Sequence, residues 1–246
     1  MIVILDSDDK EKIEYCNKIV GKMNSEILKR GILPHHRFAD HFGSYAISFA
    51  QMADYLSSKS EDIFIDQSQL LASRMLVGSG KLEQKLQQEI IIPHIFSRGK
   101  QYIEYMINEM KSRHAVAVEN HCDDIKECRG GLRDIEMLLL IYKTKHKVRD
   151  PLSRKFLHWL IKTETRHSDK FQYVEQHLNF VKNLRDLYRL KVAAHNVISK
   201  EYLPPVAESM GYGDDEKACE RLYQEFIART EKASAIMTKL IDAVKV

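Results

Sequence analysis

The sequence predicts a mainly helical protein with a small strand-containing segment at its N-terminal end. Glycine and proline number only 10 and 5 among 246 residues, roughly half the usual combined share of about 12%. Because these residues interrupt helices and strands, their scarcity favours long helices over turn-rich sheets. Beyond Gly80, apolar residues recur at three- and four-residue spacing almost without interruption. That spacing is typical of amphipathic helices packed into a bundle.

The first third of the chain has a different pattern. Residues 1–5 form an apolar run closed by Asp6-Ser7-Asp8, which predicts a buried strand followed by a helix N-cap. Residues 9–30 have helical periodicity and Gly31 stands at the expected C-cap. Helical spacing returns over residues 45–56, whereas residues 63–65 fit either a strand or the start of a helix. We expect a boundary near residues 78–80 and two segments, 1–79 and 80–246, packed directly on each other.

The second segment is predicted to be a helical bundle. Its apolar periodicity covers residues 82–92, 95–110, 132–142, 156–161, 171–198 and 218–244. Pro93, Pro151 and the pair Pro204-Pro205 are expected where these helices start or stop.

Composition excludes several classes of protein. The 38 Lys and Arg against 35 Asp and Glu leave a net charge of +3, which names no partner and argues against nucleic-acid binding. Residues 137–142 form the longest apolar run, too short to span a membrane.

The four cysteines are scattered, without a Cys-x-x-Cys pair or a secretory signal, so we expect a reduced cytoplasmic setting. The common phosphate-loop, dinucleotide and nucleophile-elbow motifs are absent from the sequence.

The most unusual local sequence runs from Arg129 to Asp134. Gly130 and Gly131 enter a strongly apolar helix, so the backbone can approach a neighbour or ligand, and free N–H groups at the helix start would attract an anion. Arg129 and Arg133 lie four residues apart and share a face if both are helical, so a carboxylate or phosphate is expected between them. In the alternative interpretation a protein acid, Asp134 or a neighbour such as Asp123, supplies that charge and the glycines only permit tight packing.

A second group of cations follows one helix. Lys182, Arg185 and Arg189 have three- and four-residue spacing, opposite an apolar face, and could line a pocket for a phosphorylated ligand. The alternative is a solvated face with acidic neighbours such as Asp186 and Glu175.

Two groups of metal-ligand residue types give weaker signals. The spacing of His114, His121, Cys122 and Cys128 matches no common zinc finger or ribbon. His35, His36 and His41 are crowded together but lack the further partners of a metal phosphohydrolase. We therefore expect no metal to be bound by either group.

The segment Gly130-Gly131-Leu132-Arg133-Asp134 resembles the Gly-Gly-Leu-Arg-Asp motif of protein-PII uridylyltransferases. It is also similar to the Gly-Gly-Ile-Arg-Asp of glutamine-synthetase adenylyltransferases. Both are bacterial nucleotidyltransferases of the DNA-polymerase-β superfamily. Upstream, Arg74 and Gly78 resemble the family's Arg-x-x-x-Gly segment, and Arg113-His114 resembles its Arg-His pair. Downstream, residues 184–212 are similar to its long helix and proline-marked turn.

This resemblance implies a partial α/β nucleotidyltransferase, residues 1–79, packed on a uridylyltransferase-type helical bundle, residues 80–246. The implied function is the nucleotide- and acceptor-binding portion of a metal-dependent nucleotidyltransferase. Its partners would be a nucleoside triphosphate and a signalling protein as acceptor. The residues implied to bind the nucleotide or dock the acceptor are Arg74, Arg129, Gly130, Gly131, Arg133, Asp134, Lys182, Arg185 and Arg189.

The sequence departs from the superfamily at the metal site. Nucleotidyl transfer there needs carboxylates that hold two divalent ions, and two of them form an Asp-x-Asp immediately before an apolar strand. Here Asp6, Asp8 and Asp9 follow the strand, about 13 Å away at ~3.3 Å per residue. Asp40 and Asp66 are candidates for a third acid.

From this departure we expect magnesium to bind only together with the missing acids. The chain would then be a truncated or inactive relative without transfer activity. The alternative function is a non-catalytic helical module that binds a partner protein.

Overall fold

A computed structural model describes residues 2–32, 40, 42–58, 62–117, 123–150 and 152–244. The described chain is mainly helical, as predicted. It divides into two compact units, Met1–Tyr102 and Ile103–Val246. The boundary predicted at residues 79 and 80 thus lies inside the first unit, and the division falls within a helix. Within the described residues, no helix is both long and apolar enough to cross a membrane.

The first unit begins with two short parallel strands, β1 (Val3–Leu5) and β2 (Ala46–Ser48), joined through helix α1 (Lys10–Lys29). The predicted strand and helix are both present, although the N-cap is Asp9, whose carboxylate accepts from the N–H of Glu11 at 3.0 Å. Gly31 has φ +75° and its N–H donates to the Leu28 carbonyl at 2.9 Å. This left-handed C-cap confirms the predicted end of α1.

Strand β2 corrects the prediction of one helix over residues 45–56. All three of its residues are buried beside β1, so the strand pairing outweighs the local helical spacing. Helix α2 (Phe49–Ser57) then starts at Ser48, whose side chain and that of Gln51 form a reciprocal capping box.

The rest of the first unit comprises α3 (Asp62–Leu71), α4 (Gly80–Lys85) and a π-helix (Leu86–Phe96). Residues 63–65, ambiguous in sequence, are helical. The prediction that Pro93 starts or stops a helix is wrong, because this proline lies inside the π-helix. The wider i→i+5 hydrogen bonding of this helix includes the Ser97 N–H donating to the Ile92 carbonyl at 3.0 Å.

Helix α5 (Gly99–Ala117) contains the division and leads into the second unit. The remaining elements are α6 (Leu132–Lys145), α7 (Ser153–Thr163), a 3-10 turn (Thr165–His167), α8 (Ser168–Lys191), a second 3-10 turn (Lys200–Tyr202), α9 (Pro204–Ser209) and α10 (Glu216–Asp242). Helix α8 packs against α6, α7, α9 and α10. The predicted bundle is therefore confirmed, with α8 ending seven residues before the predicted position 198.

Buried aromatic side chains fill the core of this bundle. Tyr142, Phe171, Tyr188 and Phe226 are all fully buried, and the Tyr142 and Phe171 rings meet edge to face with centroids 4.9 Å apart. The Tyr142 hydroxyl donates to the Leu240 carbonyl at 3.0 Å. Helix α9 begins at Pro204-Pro205, as predicted, and Pro151 lies outside the described residues.

Candidate functional site

The loop that leads into α6, residues 123–131, is fixed by hydrogen bonds along its length. Asp124 Oδ1 accepts from the N–H groups of Lys126 at 2.7 Å and Glu127 at 3.0 Å. Farther along the chain, the Asn196 carbonyl accepts from the Ile125 N–H at 2.9 Å, and the Ile198 N–H donates to the Asp123 carbonyl at 2.9 Å. The backbone of this loop is thus held locally and by the segment that follows α8.

The two glycines are required by close backbone contacts. Gly130 has φ +79°, and a Cβ there would lie 2.1 Å from the Thr230 carbonyl oxygen of α10. A Cβ on Gly131 would lie 2.8 Å from the Ile125 carbonyl oxygen. Because real Cβ atoms do not approach this closely, both positions exclude any side chain. These contacts support the alternative that the glycines permit tight packing.

The first two N–H groups of α6 are not free, whereas the prediction required free groups. Leu132 donates to the Ile125 carbonyl at 3.1 Å and Arg133 to the Lys126 carbonyl at 2.9 Å. Gly130 donates to Asp134 Oδ2 at 2.7 Å. The expectation that these amides would cradle an anion is wrong for Gly130, Leu132 and Arg133, because the Asp134 carboxylate and two loop carbonyl groups already accept from them.

Asp134 joins three parts of the second unit through one buried carboxylate. It is 1% exposed and accepts from Arg113 Nη2 at 2.6 Å and from the Gly130 amide. His114 Nε2 lies 2.8 Å from Oδ2. Burial by itself would raise the pKa of Asp134, but the hydrogen bonds from His114, Gly130 and Arg113 outweigh it and hold that pKa below its ordinary value. Asp134 is therefore an ionised carboxylate at neutral pH.

Arg113 extends this network to the loop. Its Nη1 donates to the Glu127 carbonyl at 3.1 Å, and its Nε lies 3.7 Å from a carboxylate oxygen of Glu109. In the sequence, Arg113-His114 is noticeable only because it resembles the Arg-His pair of a known family. The packing gives a physical reason for the two residues to be adjacent. They reach the same carboxylate from the last turns of α5.

His177 is the residue that sequence reasoning missed. It is fully buried on α8, and its Nε2 lies 2.8 Å from the Gly130 carbonyl oxygen. Since a carbonyl only accepts, this nitrogen carries the proton and donates. Burial lowers the pKa of His177 to about 4, although the hydrogen bond to Gly130 partly opposes the shift. A lone histidine on an apolar helix face was the only signal in the sequence.

Arg129 and Arg133 present their side chains outside this network. Arg129 lies in the turn and not in α6, so the predicted shared helical face is wrong. Arg129 is exposed and Arg133 is half-buried. In the part of the chain that the structure describes, neither guanidinium group has an ion-pair partner, since Asp134 is already used by Arg113.

The other predicted cations occupy separate positions. Lys182 and Arg189 are exposed on α8, while Arg185 binds Asp186 through Nη2 at 2.8 Å. For Arg185, that ion pair supports the alternative in which these cations lie on a solvent-exposed helix face and pair with acidic neighbours. Arg74 is exposed in the first unit, between α3 and α4.

Three of the acids considered for a metal site, Asp6, Asp9 and Asp66, have structural partners. Asp6 forms an ion pair with Lys85, Asp9 caps α1, and the buried Asp66 accepts from the Tyr55 hydroxyl. Among the described residues, no three His, Cys, Asp or Glu side chains are grouped to hold a metal. These residues therefore do not fit a magnesium site. His35, His36, His41, His121 and Cys122 lie outside the described residues.

The Gly130 contact gives a stability prediction. We expect Gly130→Ala to lower the free energy of unfolding by about 3 kcal/mol or more, since a left-handed residue costs about 1–2 kcal/mol and overpacking adds about 1–3 kcal/mol. Urea unfolding of the 246-residue chain would measure the loss. Gly211→Ala is the matched control, because Gly211 has φ +85° but no atom within 4 Å of a Cβ. Equal losses in the two variants would contradict the proposed clash.

His177 gives a pH prediction. Its pKa is about 4 in the folded chain, against an ordinary value of 6.5, so below pH 6.5 the unfolded chain binds the proton more readily. We expect the resulting contribution, about 3 kcal/mol, to be lost as pH falls from about 6.5 to 4 and to be constant at higher pH. Urea unfolding across this pH range would measure it.

His177→Gln keeps a donor for the Gly130 carbonyl but does not titrate, so it should reduce the slope of the pH dependence in this window. His195→Gln, at an exposed position, is the control and should leave the slope unchanged. A wild-type slope retained in His177→Gln would exclude His177 as its source.

The part of the chain that contains this network is similar to known proteins. A family model described as GlnD PII-uridylyltransferase matches residues 101–241. The bifunctional uridylyltransferase/uridylyl-removing enzyme of Pseudoalteromonas translucida is 28% identical over 177 residues, 70% of this chain and 19% of the relative. Its counterpart in Zymomonas mobilis is 26% identical over 216 residues, 81% of this chain and 23% of the relative.

The Caulobacter vibrioides enzyme of the same name is 27% identical over 176 residues, 68% of this chain and 18% of the relative. The chain thus spans about a fifth of the length of the curated relatives that it matches. The family match contains the diglycine loop, Arg113, Asp134 and His177. The chain therefore belongs to the PII-uridylyltransferase family.

Proposed function

We propose that this chain supplies the nucleotide- and acceptor-binding portion of a metal-dependent nucleotidyltransferase related to PII uridylyltransferase. The observation that carries the proposal is the pair of guanidinium groups on Arg129 and Arg133. Both lack an acidic partner among the described residues, and both project from a backbone that Gly130 and Asp134 hold in place.

The local electrostatics favour an anion as the partner of these arginines. Arg133 precedes Asp134 in sequence, but the carboxylate of Asp134 is buried and bound by Arg113 and His114. It therefore leaves the charge of Arg133 largely uncompensated. A guanidinium group offers several donors in a planar fork that matches phosphate oxygens, and a fixed loop reduces the entropy lost on binding. A nucleoside triphosphate has the required charge and shape.

The second group of cations extends the proposal. Lys182 and Arg189 are exposed on α8 in the same unit, and we assign them to longer-range attraction of the phosphates or of an acidic acceptor surface. Arg185, paired with Asp186, would contribute less. A nucleotide-binding role for Arg74 stays a prediction.

The names of the relatives suggest the substrates. The matching enzymes are called uridylyltransferase/uridylyl-removing enzymes, and the family description names PII. We therefore propose UTP as the nucleotide and a PII-type signalling protein as the acceptor. Because the described residues do not fit a magnesium site, the metal would enter only with acids from outside the described part of the chain.

A binding experiment tests the role of the arginines. We expect UTP with magnesium to bind the 246-residue chain, and Arg129→Ala/Arg133→Ala to weaken binding at least tenfold, since a hydrogen bond to a charged group contributes about 1.5–3 kcal/mol. Isothermal titration calorimetry would give both dissociation constants. Arg166→Ala, at an exposed arginine of the first 3-10 turn, is the matched control and should bind as the wild type does.

Two results would contradict this proposal. One is the absence of any UTP binding by the wild-type chain, and the other is an unchanged affinity in the double variant. If the chain instead bound a PII-type protein without nucleotide, the non-catalytic interaction module would be the better description.

A transfer assay tests the inactive status. We expect the purified 246-residue chain to transfer no UMP from radiolabelled UTP to a PII-type protein in the presence of magnesium. The reason is that Asp6 and Asp9, beside β1, have structural partners and the described acids form no metal-binding group. Measurable transfer that Arg133→Ala abolishes would show that the chain is active and overturn this part of the proposal.

A further inference from the structure

Helix α1 carries an apolar stripe that nothing in the described chain covers. Tyr15, Ile19 and Met23 are 66%, 42% and 44% exposed, and their spacing of four residues places them on one ridge of the helix. Three large apolar side chains in a continuous row are more than scattered surface exposure. Such a row is typical of an interaction surface.

The opposite side of α1 is firmly packed. Asn17 Oδ1 accepts from the N–H groups of Tyr45 at 2.7 Å and Ala46 at 3.2 Å, the latter at the start of β2. Val20 and Asn24 are buried. These contacts fix the rotation of α1 about its axis, so the apolar stripe points away from its own unit.

One pair of opposite charges is placed symmetrically about Ile19. Lys12 and Glu26 each lie seven residues from Ile19 and on the same face as the stripe. A second α1 running in the antiparallel direction would therefore bring Lys12 of each copy opposite Glu26 of the other.

We infer that this stripe is a self-association surface that binds a second copy of the chain. The two α1 helices would cross antiparallel about a two-fold axis at Ile19, an arrangement in which one patch is complementary to itself. Tyr15 would then contact Met23 of the second copy, a favourable sulfur–aromatic pair. Lys12 would lie opposite Glu26 of the second copy, and the antiparallel helix dipoles would attract one another.

The existing ion pairs do not oppose this assembly. Lys12 lies 3.3 Å from Asp9 and Lys29 lies 2.7 Å from Glu26 within one helix. Both pairs are exposed and of the i,i+3 type, which contributes little to stability, so they can be exchanged for intermolecular pairs. Three side chains bury less than the roughly 800 Å² per partner of a standard interface. The dimer is therefore weak and concentration-dependent.

Sedimentation velocity of the full chain over about 1–500 μM, a range that covers weak association, tests the inference. A monomer–dimer equilibrium is expected, and Ile19→Lys should weaken dimerisation at least tenfold. Leu28→Lys is the matched control, because Leu28 is 49% exposed on the opposite face of α1, and it should leave the equilibrium unchanged. A wild-type chain that stays monomeric throughout overturns the inference, as does equal weakening by the two variants.

A charge exchange tests the antiparallel geometry. Lys12→Glu and Glu26→Lys should each weaken the dimer, since each places like charges opposite one another, and the double variant should restore it. Circular dichroism of each variant checks that α1 stays folded. A double variant as weak as either single variant overturns the arrangement about Ile19. None of these results bears on UTP binding, which rests on residues of the second unit.

Discussion

The second unit depends on the buried, ionised carboxylate of Asp134. A charge at this depth is costly unless donors replace the water that it has lost. Here the donors come from Arg113 and His114 on α5 and from the amide of Gly130 in the loop. One side chain at the start of α6 therefore joins a second helix and a loop, and removing its charge would leave Arg113 without its strongest partner.

This constraint decides which groups the loop can offer to a ligand. The N–H groups of Leu132 and Arg133 donate to loop carbonyls, and the carbonyl of Gly130 accepts from His177. With these backbone groups satisfied, the recognition chemistry left to the loop belongs to the side chains of Arg129 and Arg133. Binding would then depend on guanidinium forks and not on an amide cradle, which differs from the usual phosphate site at a helix start.

Local sequence signals predicted the features that depend on neighbouring residues. The periodicity of α1, its glycine C-cap and the helix start at Pro204 all follow from interactions within a few residues. Strand β2 and the π-helix around Pro93 were not predicted, because their formation depends on pairing and packing with other segments. The diglycine pattern pointed to a loop whose glycines are required by close packing, but the use that it predicted for the amides of Gly130, Leu132 and Arg133 was wrong. The amides of Leu132 and Arg133 are bonded to carbonyls seven residues earlier in an irregular loop, whose path no periodicity encodes. His177 was missed for a different reason, because it lies 47 residues from the Gly130 carbonyl that it contacts.

The geometry of the loop distinguishes the residues that the fold requires from the residues that would bind a ligand. Gly130, Gly131 and Asp134 are required by packing and by a buried charge, whereas Arg129 and Arg133 contribute no ion pair within the described fold. A chain can therefore keep the glycines and the aspartate for stability alone, because a fold does not by itself establish a function. Arg129 and Arg133 lie outside the network that holds the loop. Substituting them therefore distinguishes a chain that binds a ligand through this loop from one that only keeps the fold.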